Sequence, residues 1–317
     1  MEACLSPEQS NVTAYAATAV AVVTLETFAG MWINAFIVSV ICLSWVRKKT
    51  LNSKEKILLA LGCSRFWFLC ISWVYYFLSL IYPNYLHVHP IFQIVESAQS
   101  FLHYSYSWVS ACLCGFYCIK IANFRNSFFI YLKVKIDRIV PCLLLGSVLF
   151  SLAIGIIVYD ITDEVLCKNL NFTCQGRIWK ASINTEEHFS PHYFIIGFGY
   201  AILFTAVIFS ALLLLFSLWR HKRNMQINSM KDLSMDAHIK AMKSILSFLI
   251  MYSINFVFFI LTLIYAMKGQ NHMVFLFYVF QYAFPGFHSL IVIFSNPNLE
   301  KTLLKILSCM KCKFCMK

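Results

Sequence analysis

Charged residues are scarce in this sequence. Asp, Glu, Lys and Arg make up 13% of its 317 residues, whereas 60% of the residues are apolar. Soluble domains average about 25% charged and about 45–50% apolar residues. Because the apolar excess is spread along the whole chain, a soluble globular enzyme is excluded, and the sequence predicts a membrane protein.

Acidic residues are scarcer than basic ones. The chain has 14 Asp and Glu against 26 Lys and Arg, which gives a formal net charge of +12. A basic surplus is typical of nucleic-acid-binding proteins, but in a membrane chain basic residues concentrate on cytoplasmic loops. We therefore expect no nucleic-acid partner.

The sequence also lacks the motifs of common catalytic and metal sites. HExxH, GxSxG and paired carboxylates on one helix face are absent. His87 and His89 form a close pair, but no second cluster accompanies them to complete an iron site. We expect no catalytic residue, no metal and no cofactor. The acidic start of the chain, with Glu2 and Glu8, predicts that it has no cleavable signal peptide.

Seven apolar runs are long enough to cross a bilayer. About 20 helical residues span the ~30 Å hydrocarbon layer, and helices are expected because backbone polar groups in lipid must pair within their own segment. The runs cover approximately residues 16–45, 56–82, 91–121, 138–159, 192–219, 241–266 and 273–296. The sequence predicts an all-α fold, a seven-transmembrane helix bundle over 1–296, followed by a short amphipathic segment in a cytoplasmic tail, 297–317.

The basic residues orient the predicted bundle. With the N-terminus outside the cell, the three inner loops and the tail together hold 21 of the 26 basic residues, as the positive-inside rule requires. Two glycosylation sequons, at Asn11 and Asn171, fall on the opposite side. We expect a multi-pass protein of the plasma membrane, in contact with the lipid bilayer, with an extracellular N-terminus.

Five short motifs carry a family resemblance. The third run ends in FYCIKIANF (116–124), which resembles the FYxxKIANF signature of the bitter taste (type 2 taste) receptors, a family of G-protein-coupled receptors. LGCSR (61–65) is similar to the family's LxxSR, and SLWRHKRNM (217–225) to its SLxxHxxxM. DLSMDAHIKAMKS (232–244) resembles DPSxxAHIKAxKS, and PGFHSL (285–290) resembles the start of PxxHSxIL. The five stand in the family's order and cover nearly the whole chain.

The resemblance implies a chemoreceptor for small bitter-type agonists. An agonist would bind between helices 2, 3, 6 and 7 in their extracellular halves, where aromatic and polar residues suit a small-molecule cavity. The candidate agonist-binding residues are Tyr75, Tyr76, Ser105, Trp108, Cys112, Asn255, Tyr278 and Gln281. Since an aromatic stripe at helical spacing is often core packing, that interpretation stays open beside the binding role.

A G protein is the partner that the resemblance implies on the cytoplasmic side. A shift of helix 6 would open a basic cleft for a heterotrimeric G protein with a gustducin-type or Gi-type α subunit. The candidate coupling residues are Tyr117, Lys120, Arg220, His221, His238, Lys240 and Lys243. The alternative is a small polytopic transporter or channel, which would need charges lining a path and repeated halves. Glu26, Arg65 and Glu96 are too few and are not repeated.

A polar network is predicted around Arg65. Glu26, Gly30 and Asn34 recur every fourth residue on one face of helix 1. A charge inside a membrane normally faces the bundle interior and pairs there. We expect Arg65 to bond toward Asn34 and to reach Glu26, with Gly30 allowing close helix approach and with His288 and Ser289 in the same network. It would serve either as a fixed structural latch or as a set of contacts that changes on activation.

Most of the 13 cysteines lie in apolar runs, where they behave as small hydrophobes. Cys167 and Cys174 fall in the second outer loop, where oxidising conditions would let them form a local disulfide. Cys309, Cys312 and Cys315 alternate with lysines beyond the last run, a setting in which cysteines are often palmitoylated. Unmodified thiols are the alternative at those three positions.

Overall fold

The computed structural model describes residues 7–81, 90–121, 127–169, 190–227, 232–267 and 271–315. In these segments the chain forms eight α-helices and no strand. The helices are α1 (Pro7–Lys48), α2 (Ser53–Ile81), α3 (Ile91–Ile121), α4 (Ser127–Asn169), α5 (Ser190–Ile227), α6 (Asp232–Met267), α7 (Asn271–Ser295) and α8 (Pro297–Cys315). The prediction of an all-helical protein is confirmed.

The junctions between consecutive helices follow from local capping chemistry. After α1, Lys49 takes a left-handed conformation with φ of 56°, and its amide donates to the Trp45 carbonyl at 2.7 Å, as at many helix C-termini. Before α2, the Asn52 amide donates to the Glu55 carboxylate at 2.9 Å. This is the capping-box bond in which the side chain at the third helical position accepts from the N-cap amide. Pro297 opens α8 at the position where a proline is favoured.

The helices extend beyond the apolar runs from which they were predicted. α4 covers Ser127–Asn169 rather than 138–159, and α5 continues to Ile227 rather than 219. The stretch between the fifth and sixth apolar runs, residues 220–240, is helical up to Ile227 and again from Asp232. Hydropathy detects only the part of a helix inside the lipid, and hydrogen bonding carries the same helix on into polar sequence.

Six helices of the described segments are long and apolar enough to cross a membrane: α1, α2, α4, α5, α6 and α7. The helix α3, at 31 residues, is also long enough to cross a membrane, but it carries polar side chains such as Gln93, Gln99 and His103. Its position explains this composition, because α3 packs against α2, α4 and α5. Buried polar groups in a membrane protein normally face other helices rather than lipid.

The outer surface of the bundle is apolar. Trp32, Trp67, Phe198 and Phe209 are between 58% and 75% exposed, whereas polar residues such as Arg65, Ser72 and Ser107 are completely buried. This distribution is the inverse of the one in soluble proteins and suits a lipid environment.

One end of the bundle, which we call the basic end, is defined by Lys48, Lys54 and Lys120. There Lys48 pairs with Glu55 at 3.5 Å, and Lys120 of α3 pairs with Asp137 of α4 at 2.7 Å. The Lys54 ammonium lies 5.5 Å from the centre of the Tyr117 ring. These contacts bring the end of α1, the start of α2, the end of α3 and the start of α4 to one side of the molecule.

Candidate functional site

A buried guanidinium ties four helices together in the middle of the bundle. Arg65 of α2 has no solvent exposure. It donates to the Ser289 hydroxyl of α7 at 3.0 Å and to the Ser110 hydroxyl of α3 at 3.1 Å, and it also contacts Nδ1 of His288. The Ser289 hydroxyl in turn donates to the Asn34 side-chain oxygen of α1 at 2.8 Å.

This geometry corrects the sequence-based network in two respects. Ser289 stands between Arg65 and Asn34, so those two side chains connect through α7 rather than directly. Glu26 is outside the network, and its buried Oε2 has no hydrogen-bond partner among the described residues. Periodicity identified the inward face of α1 but could not identify which neighbouring helix that face would meet.

Gly30 does allow a close helix approach, as predicted, and it does so toward both α2 and α7. A Cβ at Gly286 would lie 3.3 Å from the Gly30 Cα. A Cβ at Gly30 would lie 2.8 Å from a Leu69 methyl group. The two glycines therefore let α1 and α7 meet backbone to backbone, one helical turn from the Asn34–Ser289 hydrogen bond.

A cavity of about 260 Å³ opens between the Arg65 network and the basic end. Ser110 and His288, which both contact Arg65, line it together with Lys54 and Tyr117. The rest of its wall is mainly apolar and comes from α3, α5, α6 and α7: Leu113, Cys114, Leu214, Ile245, Phe248, Ile291, Val292 and Ser295. Among the described lining residues none is acidic and Lys54 carries a positive charge, so the cavity combines apolar walls with one basic side chain.

Of the predicted coupling residues, Tyr117 lines this cavity. Lys120 points instead to Asp137, and Arg220 is exposed at the end of α5. The side chains of His221, His238, Lys240 and Lys243 lie outside the described residues. Sequence reasoning missed Leu214, Phe248 and the other apolar lining residues, because within an apolar helix they look like any lipid-facing side chain.

The predicted agonist-binding tyrosines gather at the end opposite the basic end. The Tyr278 ring stacks on Tyr282 at 5.7 Å, with 8° between the planes, and Tyr76 meets Tyr282 edge to face at 6.3 Å. Tyr75, the neighbour of Tyr76 on α2, is half-buried. Tyr282 was not among the predicted agonist-binding residues.

The other predicted agonist-binding residues lie elsewhere in the bundle. The Trp108 ring packs edge to face on Phe150 of α4 at 5.2 Å, and Ser105 is buried. Cys112, one turn from Trp108, is half-buried. The predicted group is therefore divided between the tyrosines and a second region beside α4.

Two polar members of the group are held in interhelical hydrogen bonds. Asn255 of α6 donates to the Tyr200 hydroxyl of α5 at 2.6 Å. Gln281 of α7 donates to the Thr262 hydroxyl of α6 at 2.5 Å and to the Phe258 carbonyl at 3.3 Å. These bonds connect α5, α6 and α7 through the amide nitrogens. They do not use the side-chain oxygens of Asn255 and Gln281, to which an agonist could donate without breaking them.

Several predicted modification sites fall outside the described part of the chain. Asn171 and Cys174 lie in the segment between α4 and α5, and the side chains of Asn11, Cys167, Cys312 and Cys315 are likewise not described. Cys309 is an exposed free thiol on α8.

Comparison with known proteins identifies the family. The sequence model of the family described as "Taste receptor protein (TAS2R)" matches residues 12–311, nearly the whole chain. The chain belongs to this taste receptor family. Taste receptor type 2 member 9 of Homo sapiens is 30% identical over 291 residues, which cover 90% of this chain and 92% of the relative. Member 7 of Macaca mulatta is 28% identical over 286 residues, covering 89% and 90%.

The comparisons confirm the resemblance drawn from the five motifs. The taste receptor is a multi-pass membrane protein of a receptor class, and not an enzyme. The names of its relatives, taste receptors of type 2, support a function as a taste chemoreceptor.

Proposed function

We propose that this receptor detects small bitter compounds outside the cell and activates a heterotrimeric G protein inside it. The observation that carries the proposal is the cavity at the basic end, whose inner wall is formed by two partners of the buried Arg65, Ser110 and His288. A change in helix packing around Arg65 would therefore alter a surface that a cytoplasmic partner can reach.

The proposed topology has seven spans with the N-terminus outside. The central helix α3 supplies the seventh span beside the six apolar ones, because its 31 residues exceed the about 20 needed to cross the hydrocarbon layer and its polar residues pack within the bundle. The basic end then faces the cytoplasm, in agreement with the positive-inside rule. The receptor would be located in the plasma membrane, where agonists arrive from outside.

In this proposal, agonists bind between α2, α3, α6 and α7 at the end opposite the basic end. The stacked tyrosines, Trp108 and the amides of Asn255 and Gln281 supply apolar area and a few polar contacts, as in most small-molecule sites. An agonist must favour the active packing over the inactive one, since equal affinity for both would shift nothing.

In the proposed mechanism, Phe248 of α6 connects the agonist-binding end of the bundle with the cavity at the basic end. Its ring lies 4.5 Å from the His288 ring and 5.6 Å from the Tyr252 ring, and it also lines the cavity. An outward shift of α6 would separate Phe248 from His288 and enlarge the cavity. The C-terminal segment of a G-protein α subunit, of the gustducin or Gi type, would enter there.

Filling the cavity tests this coupling site. Ile245→Trp places a large ring at the cavity wall and is expected to abolish agonist-dependent nucleotide exchange on a purified Gi-type heterotrimer in receptor membranes. The matched control is Leu246→Trp, because Leu246 is the next residue of α6 and is 47% exposed on the outer surface. Equal exchange by both variants at matched receptor levels would remove the cavity from the proposed mechanism. Agonist-dependent exchange by the wild type also distinguishes a receptor from a transporter.

A further inference from the structure

Lys54 brings a positive charge to the cavity at the basic end, and the proposed mechanism has not used it. It is the second residue of α2 and is half-buried. Its ammonium nitrogen lies 5.5 Å from the centre of the Tyr117 ring of α3, which lines the same cavity. An ammonium group is attracted to the face of such a ring. The two side chains together place a cation on the wall of the cavity, where α2 and α3 meet.

The other two lysines that define the basic end are engaged with carboxylates of this chain. Lys48 pairs with Glu55 at 3.5 Å, and Lys120 pairs with Asp137 at 2.7 Å. Neither of these lysines lines the cavity, whereas Lys54 does. Of the three, Lys54 is therefore the one that a group inserted into the cavity would meet.

The inner end of the cavity is closed by the Arg65 network. Ser110 and His288 both contact Arg65, and both belong to the cavity lining. A segment that enters from the basic end must therefore stop there or turn back. The partner segment of the proposed function is C-terminal, so it stops and brings a carboxylate with it. In a helical segment the last carbonyls also lack partners within the helix, which makes the inserted end more negative still.

Charge and apolar surface lie on different sides of the cavity. Lys54 belongs to α2, which packs against α1, α3, α4 and α7, so α5 and α6 close the cavity on the side away from α2. The lining from those two helices is apolar and consists of Leu214, Ile245 and Phe248. The cavity therefore fits a chain end with a negative group on one side and apolar side chains on the other.

We propose that Lys54, held against the Tyr117 ring, binds the chain-terminal carboxylate of the inserted G-protein segment. This inference rests on the proposed function and adds the orientation of the partner. Its carboxylate faces α2 and α3, and its last apolar side chains face α5 and α6. A hydrogen bond between two charged groups is stronger than one between neutral groups, so Lys54 selects a partner whose chain ends inside the cavity.

The test compares a charged and a neutral chain end. Two synthetic peptides carry the C-terminal sequence of a Gi-type α subunit, one as the free acid and the other amidated. Each is titrated onto the full-length receptor in lipid nanodiscs, and its dissociation constant is measured. The wild type is expected to bind the acid roughly tenfold or more tightly than the amide, because the amide keeps the shape of the chain end and loses its charge. This comparison needs no variant to fold.

Variants of Lys54 assign that preference to one side chain. Lys54→Gln is expected to bind the acid and the amide equally, whereas Lys54→Arg should still prefer the acid because it keeps the positive charge. The matched control is Lys56→Gln, which removes the same charge two residues along α2 from an exposed position outside the cavity lining. It should retain the full preference for the acid.

The outcomes separate this contact from the proposed function. Equal binding of acid and amide by the wild type, or an unchanged preference in Lys54→Gln, would overturn the carboxylate contact. The proposed function would stand as long as Ile245→Trp weakens both peptides and Leu246→Trp weakens neither. A wild type that binds neither peptide but promotes nucleotide exchange on the heterotrimer would likewise overturn only the contact. Absence of both peptide binding and agonist-dependent exchange would overturn the contact and the proposed function together.

Discussion

At the scale of single residues, Trp108 has the clearest remaining role to test. Its ring packs on Phe150, and its buried indole nitrogen has no hydrogen-bond partner among the described residues. An acceptor atom of an agonist could accept a hydrogen bond from this N–H group, because buried donors are rarely left unpaired. We expect Trp108→Ala to raise agonist half-maximal concentrations roughly thirtyfold, since losing an aromatic anchor costs about 2 kcal/mol or more.

Two comparisons separate binding from packing at Trp108. Calcium responses must be normalised to surface receptor, because a variant that only disturbs the core lowers the number of receptors and not their potency. Trp108→Phe keeps a ring against Phe150 and loses the N–H group, so an intermediate shift is expected. If several chemically different agonists keep their potency in Trp108→Ala at matched expression, the residue belongs to the core alone.

At the scale of helices, the contact between α1 and α7 depends on two glycines. A methyl group at Gly286 would press on the Gly30 backbone at 3.3 Å, and a backbone cannot move aside as a flexible side chain can. Gly286→Ala is therefore expected to force α7 away from α1 and to strain the Asn34–Ser289 hydrogen bond. The measured effect should be a lower midpoint temperature of unfolding in detergent and a smaller fraction of receptor at the surface.

Gly146→Ala is the matched control for this helix contact. Gly146 lies within α4, and a Cβ there would meet no atom within 4 Å. Alanine has the higher helix propensity, by roughly 1 kcal/mol, so this variant should be as stable as the wild type or more stable. Equal stability of Gly286→Ala and Gly146→Ala would show that α1 and α7 are not held by close backbone contact.

The same two helices show how far sequence reasoning reaches. The apolar runs predicted the helices, and the spacing of four residues between Glu26, Gly30 and Asn34 identified an inward face of α1. The partner of that face depends on how the helices are rotated and placed around the bundle, which hydropathy does not encode. For the same reason, the sequence did not show that the predicted agonist-binding residues would lie in separate places. Gln281 and Asn255 bond to α6 and α5, whereas the tyrosines connect α2 and α7.

At the scale of the whole molecule, α3, the seventh span of the proposed topology, differs from the six apolar helices in its composition. Its polar side chains pair inside the bundle, as Gln93 does with Asp163 of α4 at 3.1 Å and Ser97 with the Gly155 carbonyl at 2.7 Å. Such a helix is shielded from lipid by its neighbours and needs less hydropathy than an outer one. An odd number of spans places the two termini on opposite sides of the membrane, whereas the six apolar helices alone would place them on the same side.

The positions of the two termini therefore test whether the number of spans is odd or even. With seven spans and the basic end inside, an epitope placed after Lys317 should be reached by antibody only after the plasma membrane is permeabilised, whereas one placed before the N-terminus should be reached on intact cells. Glycan removal should lower the apparent mass of the wild type, and Asn171→Gln should reduce that shift, because the Asn171 sequon would lie outside. The asymmetry of the basic residues supports this orientation. Labelling of both epitopes on intact cells would instead indicate an even number of spans and would remove α3 from the membrane-crossing set.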